Sequence, residues 1–549
     1  MGRVRNAVAI VNQRVTVQLA AALLATAMLA SIVLGLFRER LLNSLYLDTY
    51  PVGIDAYTVA FSIPDFMFVI LVTGALSVTF IPVFNQRLVK GNKKSAWELA
   101  TSLMNFMAVI TLIASVLIII FADPLVRYVV GPGLSESGHN LAVSMMRVIA
   151  VNPFLFAVAT VIASMQQAIG RFTFYALAPV IYNLGIIFGA LVFTGGISIF
   201  GWQIFEGGIM GVALGVVLGS IMQLVVSSIG LLGLGFDYRF KIYWKNKGFR
   251  QVLKLLPARS FDQGADYINS IVELNIASRM AAGTIRAYQQ ATTLHLAPIN
   301  LIGVAISTAA FPKLTEQLGE GRMDLFRKEL QSVLRVIIWL ALPVATVTYF
   351  TRGYLVSFIL NQKEEISDAN ALIAGLLGVL AVAILFRSIY HIMARSFYAQ
   401  QDTYTPLYIS LVAIALNIAL AIWFTGPLGM GAYGLAWAQS IVAVVEVVIL
   451  FVILNMKVVN VFDRNFFHAI GRMLSATGFV ALVCYMSVRA FQLQSTDLSF
   501  FATFPKFVII VAISSITYVA MSHIIGLEES KPVVKKAKSI LFGRAGGGA

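Results

Sequence analysis

Apolar segments long enough to cross a lipid bilayer recur along the whole chain, separated by short polar connections. A transmembrane helix needs about 20 consecutive, mainly apolar residues, and about fourteen segments of the sequence meet that length. The pattern therefore predicts an all-α polytopic membrane protein with about fourteen transmembrane helices. The predicted helices lie near residues 15–37, 57–84, 97–122, 142–169, 174–198, 207–234, 252–280, 285–312, 326–350, 369–398, 406–425, 431–454, 466–490 and 505–526.

The seventh segment, 252–280, differs from the others because it contains a polar stripe. Its polar side chains recur at spacings that place them within about 80° of one another on a helix. A charge at bilayer depth costs at least about 2.5–3.5 kcal/mol, so such residues generally face the protein interior or a water-filled cavity. A buried ion-pair network is the alternative, but three carboxylates against one guanidinium favour a wet cavity or a bound cation. The stripe consists of Arg259, Asp262, Asp266, Asn269 and Glu273.

Composition supports the membrane class and excludes several functions. Hydrophobic residues make up 59% of the chain and charged residues 12%, a balance that soluble domains do not have. Cys484 is the only cysteine and the five histidines are scattered, so we predict no disulfide framework, no metal site and no cofactor. Neither a phosphate-binding glycine-rich loop nor a catalytic constellation is present in the polar loops, and we predict a protein that is not an enzyme.

The formal charge of +15 is distributed in a way that predicts orientation rather than nucleic-acid binding. Lysine and arginine are concentrated in every second connection, at 87–94, 239–250 and 313–328, and in the tail 527–549. By the positive-inside rule, both termini are then cytoplasmic. We expect the same basic connections to contact anionic membrane lipids.

Two short patterns of the first half recur in the second half. Residues 77–82 are echoed by 307–312, and 208–213 by 431–436. The echoes predict two related six-helix lobes that surround a central cavity, with substrate bound between them. The predicted parts are an N-terminal lobe 1–236, a C-terminal lobe 251–455, an extra helix pair 464–526 and a basic cytoplasmic tail 527–549.

Three motifs of the first lobe carry a family resemblance. They are SIVLGLFRE at 31–39, IDAYTVAFSIP at 54–64 and GALSVTFIP at 74–82. Together they resemble the signature of the MviN/MurJ lipid II flippases, in the multidrug/oligosaccharidyl-lipid/polysaccharide exporter superfamily. The resemblance continues at 170–172, 179–183, 310–312 and 397–406. It implies about fourteen helices and export of an undecaprenyl-pyrophosphate-linked disaccharide-pentapeptide across a bacterial plasma membrane by alternating access.

The chain departs from the family pattern at three places where the family usually has arginine. Ile32, the Phe68–Val69 pair and Thr293 occupy these positions, whereas Arg38, Glu39 and Asp55 are retained. Arg279 and Arg286 are candidates for supplying the missing charge, and a position at the outer membrane interface is the alternative for both. Arginine in a central cavity suits an anionic headgroup because its planar fork binds phosphate through two hydrogen bonds.

The candidate residues fall into two groups. Sodium-coupled members of the family have an acidic residue midway along the seventh helix, which Glu273 matches, and the nearest further candidates for a cation site are Asn417 and Gln439. For Asn417, the alternative to a cation site is a hydrogen bond in helix packing. For His295, the alternative to cavity lining is a hydrogen-bonded packing role. Arg387 and His391 either flank the cavity of the second lobe or contact headgroups. The predicted substrate and cavity residues are Arg38, Glu39, Asp55, Arg259, Asp262, Asp266, Arg286 and His295.

The sequence therefore predicts a flippase for a polyprenyl-pyrophosphate-linked substrate, driven by membrane potential, by a Na⁺ or H⁺ gradient, or by both. An exporter of another polyprenyl-linked oligosaccharide and a small-molecule cation antiporter of the same superfamily are the alternatives. We expect a monomer.

Overall fold

The computed structural model is almost entirely helical, as predicted. It describes residues 17–73, 80–199, 202–232, 234, 236, 238–359, 368–458, 461–494, 497 and 500–542. The chain divides into two compact units, Met1–Arg286 and Ala287–Ala549. The predicted lobes, which rest on internal repetition, stay predictions.

The first unit contains nine helices within the described ranges, and α10 begins at its end. Two π-helical turns, Val69–Thr73 and Leu125–Val130, continue the second and fourth helices. The helices are α1 Val17–Tyr46, α2 Pro51–Phe68, α3 Ile81–Val89, α4 Lys93–Pro124, α5 Glu136–Ile149, α6 Asn152–Ile169, α7 Thr173–Val192, α8 Met210–Ile229, α9 Lys247–Ala277 and α10 Thr284–Ile299.

The second unit contains the remainder of α10 and eight more helices within the described ranges. A third π-helical turn, Asn300–Val304, joins α10 to α11. The further helices are α11 Ala305–Gly319, α12 Met323–Ile359, α13 Asp368–Ala399, α14 Tyr404–Thr425, α15 Ala432–Lys457, α16 Arg464–Ala490, α17 Phe500–Ile524 and α18 Ser530–Phe542.

Twelve segments in the described part of the chain are long and apolar enough to cross a membrane. They correspond to twelve of the predicted spans. The first and seventh predicted spans fall on α1 and α9, which are helical but are not among the twelve. The multi-span all-α class is therefore confirmed, while the count of fourteen stays a prediction.

Side-chain caps determine where several of these helices begin. Asn92 accepts a hydrogen bond from the Ser95 amide at 3.1 Å before α4. Asn246 accepts bonds from the amides of Gly248 and Phe249 at 3.0 and 3.3 Å before α9. Each cap satisfies amide groups that have no partner in the first turn of a helix.

A short antiparallel hairpin, which the apolar pattern does not predict, lies between α7 and α8. Strand β1 (Ile197–Ile199) pairs with β2 (Trp202–Phe205). The sequence around the hairpin continues the apolar run of the flanking helices. A hydropathy pattern therefore cannot distinguish these seven strand residues from the helices.

Glycines bring α7 and α8 into backbone contact. A Cβ atom added at Gly185 would lie 2.3 Å from the Cα of Gly219, and one added at Gly189 would lie 2.3 Å from the Cα of Gly215. Small residues at such crossings let membrane helices pack closely through van der Waals contact. Any side chain at these positions would force the two helices apart.

The connection between α13 and α14 is fixed by an ionised carboxylate. Partial burial opposes ionisation of Asp402, but hydrogen bonds from the Lys457 ammonium, the Thr405 hydroxyl and the Thr405 amide outweigh it and lower the Asp402 pKa to about 2. This connection belongs to the motif at 397–406 noted in the sequence. Its carboxylate links the start of α14 to the end of α15.

Candidate functional site

The first unit contains a buried cluster of charged residues from α1, α2 and α10. Arg38 on α1 donates to Glu39 Oε1 from Nε at 3.2 Å and from Nη2 at 2.6 Å. Its Nη1 donates to Asn183 Oδ1 on α7 at 3.0 Å. Because a guanidinium has five N–H groups, these three bonds leave two N–H groups of Arg38 without a described partner. The side chain is 23% exposed.

Glu39 connects the two arginines of the cluster. The other carboxylate oxygen, Oε2, accepts a hydrogen bond from Arg286 Nη2 at 2.6 Å. Arg286 Nε donates to Asn43 Oδ1 at 2.9 Å. Arg286 is only 4% exposed and Glu39 is 18% exposed. Exposure therefore increases across the cluster from the buried Arg286 to the partly accessible Arg38.

Asp55 on α2 holds the first turn of α10. Its Oδ2 accepts from the Gly283 amide at 2.6 Å and its Oδ1 from the Arg286 amide at 2.9 Å. Gly283 has a φ of +91°, a conformation that glycine adopts without steric cost. A carboxylate at a helix N-terminus satisfies unpaired amides and is favoured by the helix dipole. Asp55 therefore positions the backbone from which Arg286 projects.

Two guanidiniums and two carboxylates form the hydrogen bonds of this cluster, and Asp65 of α2 adds a third carboxylate that interacts electrostatically with Arg38. Asp55 is 2% exposed and spends both oxygens on backbone amides. Glu39 is shared between two arginines. The accessible donors of the cluster are therefore those of Arg38, and an anion that approached would meet a guanidinium held in place by Glu39 and Asn183.

Four of the predicted cavity residues are thus brought together: Arg38, Glu39, Asp55 and Arg286. Of the two arginines considered as substitutes for the missing ones, Arg286 is buried in the cluster, whereas Arg279 is exposed and donates to Asn275 Oδ1 at 3.2 Å.

The polar stripe of the seventh span lies on α9, only partly within the described side chains. Glu273 is 4% exposed and accepts a hydrogen bond from Asn269 Nδ2 at 3.0 Å, one turn away. This bond is an interaction along the stripe, as the helical spacing predicts. The side chains of Arg259, Asp262 and Asp266 lie outside the described residues.

The remaining predicted site residues belong to the second unit. His295 on α10 is 4% exposed, and its Nδ1 lies 2.7 Å from the carbonyl oxygen of Thr292. Asn417 on α14 is 3% exposed, and Gln439 on α15 is half-buried. His295 interacts electrostatically with Arg387 of α13. This interaction is compatible both with a packing role for His295 and with a position in the wall of a cavity.

Two asparagines of the cluster were missed in the sequence. Asn43 follows Glu39 by four residues, a spacing that places both on one side of α1. Asn183 closes the motif at 179–183 that supported the family resemblance. An asparagine inside an apolar helix is a weak signal on its own, but the i, i+4 relation to a charged residue could have identified Asn43.

Comparisons with known proteins agree with this architecture. A model of the family described as "Lipid II flippase MurJ" matches residues 51–519. A probable lipid II flippase MurJ of Bdellovibrio bacteriovorus is 27% identical over 404 residues, 73% of this chain and 75% of that protein. One of Borreliella burgdorferi is 23% identical over 410 residues, covering 74% and 78%.

Solved structures resemble the chain at the level of the fold. A structure titled "Lipid II flippase MurJ, inward closed conformation" matches with a TM-score of 0.73 and 23% identity, covering 92% of this chain and 98% of that one. An inward-facing multidrug resistance MATE family transporter of the MOP superfamily matches with a TM-score of 0.66 and 15% identity, covering 80% and 98%.

Proposed function

The chain belongs to the MurJ family of lipid II flippases, and from that membership we propose that the Arg38–Glu39–Arg286 cluster binds the pyrophosphate of the lipid-linked substrate. The protein is a transporter of peptidoglycan precursor rather than an enzyme. The alternative of a small-molecule antiporter is not favoured, because the family model that matches is that of the flippases.

The observation that supports the proposal is the arrangement around Arg38. Its guanidinium is oriented by Glu39 and Asn183, is partly exposed, and keeps two N–H groups for an incoming acceptor. A pyrophosphate offers more acceptor oxygens than a carboxylate and could replace Glu39 as the partner of Arg38. Glu39 would then remain paired with Arg286. Arginine forms strong paired hydrogen bonds with phosphate groups.

An apolar cavity of the second unit suits the hydrocarbon part of such a substrate. It has a volume of about 420 Å³ and lies among α10, α12 and α17. Its walls include Pro298, Pro343, Val347, Phe507 and Val511. Within a bilayer the lipid tails are as apolar as these walls, so van der Waals packing rather than the hydrophobic effect would hold a polyprenyl chain there.

The proposed mechanism is alternating access driven by the membrane potential. A potential that is negative inside favours outward movement of an anion by about 2.3 kcal/mol per charge per 100 mV. The headgroup would cross through the protein while its hydrocarbon chain remains in apolar surroundings, in the lipid or in the cavity of the second unit. We propose that the protein acts as a monomer.

A Na⁺ or H⁺ gradient is proposed as a second driving force, acting at Glu273. This carboxylate is buried at membrane depth, where an ionised group needs a partner. Asn417 and Gln439 remain the nearest predicted contributors from the second unit. We expect Glu273→Gln to abolish the stimulation of flipping by an imposed cation gradient in proteoliposomes, while the exposed Glu206→Gln leaves it intact. Flipping that ignores both Glu273→Gln and the gradients would refute this role.

We propose a bacterial plasma membrane location with both termini in the cytoplasm, on the basis of the charged connections. In the first unit, Lys90, Lys241, Lys245 and Lys247 line a cavity of about 990 Å³ together with Arg87. Such a concentration of positive charge suits the cytoplasmic leaflet and its anionic lipids.

The orientation can be tested by cysteine labelling after replacement of Cys484 by alanine. We expect a membrane-impermeant thiol reagent added to intact cells to label Ser137→Cys, in the first turn of α5, and not Lys245→Cys. Both positions are exposed. Labelling of Lys245→Cys from outside would reverse the proposed orientation.

The proposed function is tested by asking whether the gene rescues bacteria depleted of their own lipid II flippase. The purified protein in proteoliposomes should also move a fluorescent lipid II analogue between leaflets. Failure of both assays with a folded protein would overturn the assignment of this substrate.

A further inference from the structure

Three basic side chains follow one another along α13 in the second unit, and the proposed function makes no use of them. Arg387, His391 and Arg395 are four residues apart and are all partly exposed, whereas Ser388, Ile392 and Ser396 beside them are buried. Residues at i, i+4 and i+8 lie on one side of a helix, about 6 Å apart per step. The three residues, here called the α13 stripe, therefore extend over about 12 Å, from the middle of α13 towards its Ala399 end.

The first residue of the stripe has one acidic partner. Arg387 Nη1 donates to Glu446 Oε2 on α15 at 3.0 Å. Glu446 is 1% exposed, while the Arg387 side chain is 34% exposed. The buried carboxylate thus anchors one edge of the guanidinium, and the remainder of the group stays accessible.

The last residue of the stripe is held by neutral groups. Arg395 Nη1 donates to the carbonyl oxygen of Val304 at 3.1 Å and to the Ser307 hydroxyl. Among the described residues, no carboxylate pairs with Arg395. The close approach is possible because a glycine lies at the crossing: a Cβ at Gly303 would be 2.6 Å from the Cα of Ser388. Arg395 is therefore fixed in position while its charge is left uncompensated.

His391 lies between the two arginines. Its ring contacts the Tyr390 ring edge-on, with centroids 5.7 Å apart. No hydrogen bond to either ring nitrogen is formed within the described part of the chain. The imidazole interacts electrostatically with both Arg387 and Arg395, so it adds a donor at the centre of a site that is already positive.

We propose that the α13 stripe binds a phosphate-class anion within the second unit. A structural ion pair accounts for Arg387 and Glu446 but leaves Arg395 and the open ring nitrogens of His391 unexplained. Two guanidiniums face one carboxylate, and ionisable residues within membrane segments commonly mark the pathway of a substrate or ion. Two sources share this chemistry: the pyrophosphate of the substrate, which rests on the proposed function, and the phosphate of an anionic phospholipid headgroup.

The test uses the full-length protein in vesicles of two compositions, phosphatidylcholine alone and phosphatidylcholine with phosphatidylglycerol. The principal variant is Arg395→Gln, because its partners are neutral and no buried charge is stranded. The second is Arg387→Gln combined with Glu446→Gln, which removes both members of the ion pair. Arg472→Gln is the control, since Arg472 is an exposed arginine on α16 of the same unit. The probes are a fluorescent polyprenyl pyrophosphate and spin-labelled phosphatidylglycerol.

If the stripe binds substrate, Arg395→Gln should weaken polyprenyl pyrophosphate binding about tenfold in both vesicles, as loss of a charge-assisted bond predicts. If it binds a headgroup, the variant should instead lose the preference for phosphatidylglycerol and keep polyprenyl pyrophosphate affinity. Either result supports the site and identifies its source. Behaviour equal to Arg472→Gln with both probes overturns it. Failure of the unmodified protein to bind polyprenyl pyrophosphate would count against the proposed function alone. The phosphatidylglycerol measurement would still show whether the α13 stripe binds an anion.

Discussion

Replacement of Arg38 by alanine should lower the rate of lipid II flipping at least about tenfold. The substitution removes the accessible guanidinium of the charged cluster and leaves Glu39 paired with Arg286. A hydrogen bond to a charged group contributes about 1.5–3 kcal/mol, and about 1.4 kcal/mol corresponds to a factor of ten in affinity. The sequence resemblance leads us to expect arginine at Ile32, near Val69 and at Thr293, and because this chain lacks all three we expect a stronger dependence on Arg38.

Arg38→Lys distinguishes recognition from simple charge. Lysine keeps the positive charge but loses the planar fork that bonds Glu39 and Asn183 at the same time, so we expect only partial activity. If Arg38 merely extended to the membrane interface, lysine would function as well as arginine. Arg40→Ala is the matched control, because Arg40 lies about 200° around α1 from Arg38.

Flipping should be measured per folded protein in proteoliposomes, with the folded fraction taken from size-exclusion chromatography. A reduced yield with unchanged turnover would assign Arg38 a structural role. Full turnover in Arg38→Ala would remove the anion-binding role altogether.

The charged cluster shows how far the sequence can lead. Charged residues inside apolar spans are few, and placing each one in a membrane costs free energy. Each could therefore be identified as a candidate site residue from the sequence alone: Arg38, Glu39, Asp55 and Arg286. Their pairing could not be predicted, because Asp55 and Arg286 are separated by most of the first unit in sequence. Only the packing of α1, α2 and α10 brings them together.

Partners that are backbone atoms are invisible in a sequence for a different reason. Asp55 is a cavity candidate by residue type, yet both of its oxygens accept from amides at the start of α10. Any residue there except proline supplies an amide, so no pattern marks the acceptor. The hairpin 197–205 was missed similarly, since its residues are as apolar as the helices around it.

For most of the membrane spans, by contrast, the sequence alone was sufficient. Hydropathy located the twelve segments that the structure bears out, because bilayer thickness fixes their length. The seventh span was also predicted from its apolar length, but α9, on which it falls, is not among the twelve. Its central side chains lie outside the described residues, so the role of Asp262 and Asp266 stays a prediction.

Replacement of Asp55 by alanine is expected to destabilise the protein strongly. The change leaves the amides of Gly283 and Arg286 without their acceptor at a position where Asp55 is 2% exposed. Each buried donor left unsatisfied costs about 1–3 kcal/mol, and the carboxylate at the N-terminus of α10 is lost as well. We therefore expect a fall of about 2–6 kcal/mol in the free energy of unfolding, the sum of two such donors.

Asp55→Asn separates hydrogen bonding from charge. The asparagine oxygen can accept from one of the two amides, while its own amino group faces the other N–H and cannot accept. An intermediate loss of stability should result, and Arg286 should shift relative to Glu39, with a lower flipping rate. Thermal unfolding in detergent measures the first effect and the proteoliposome assay the second. Asp48→Ala, at an exposed position before α2, should change stability by no more than about 0.5 kcal/mol. If Asp55→Ala unfolds at the same temperature as Asp48→Ala, the amides of α10 must have another acceptor, and the anchoring role of Asp55 is wrong.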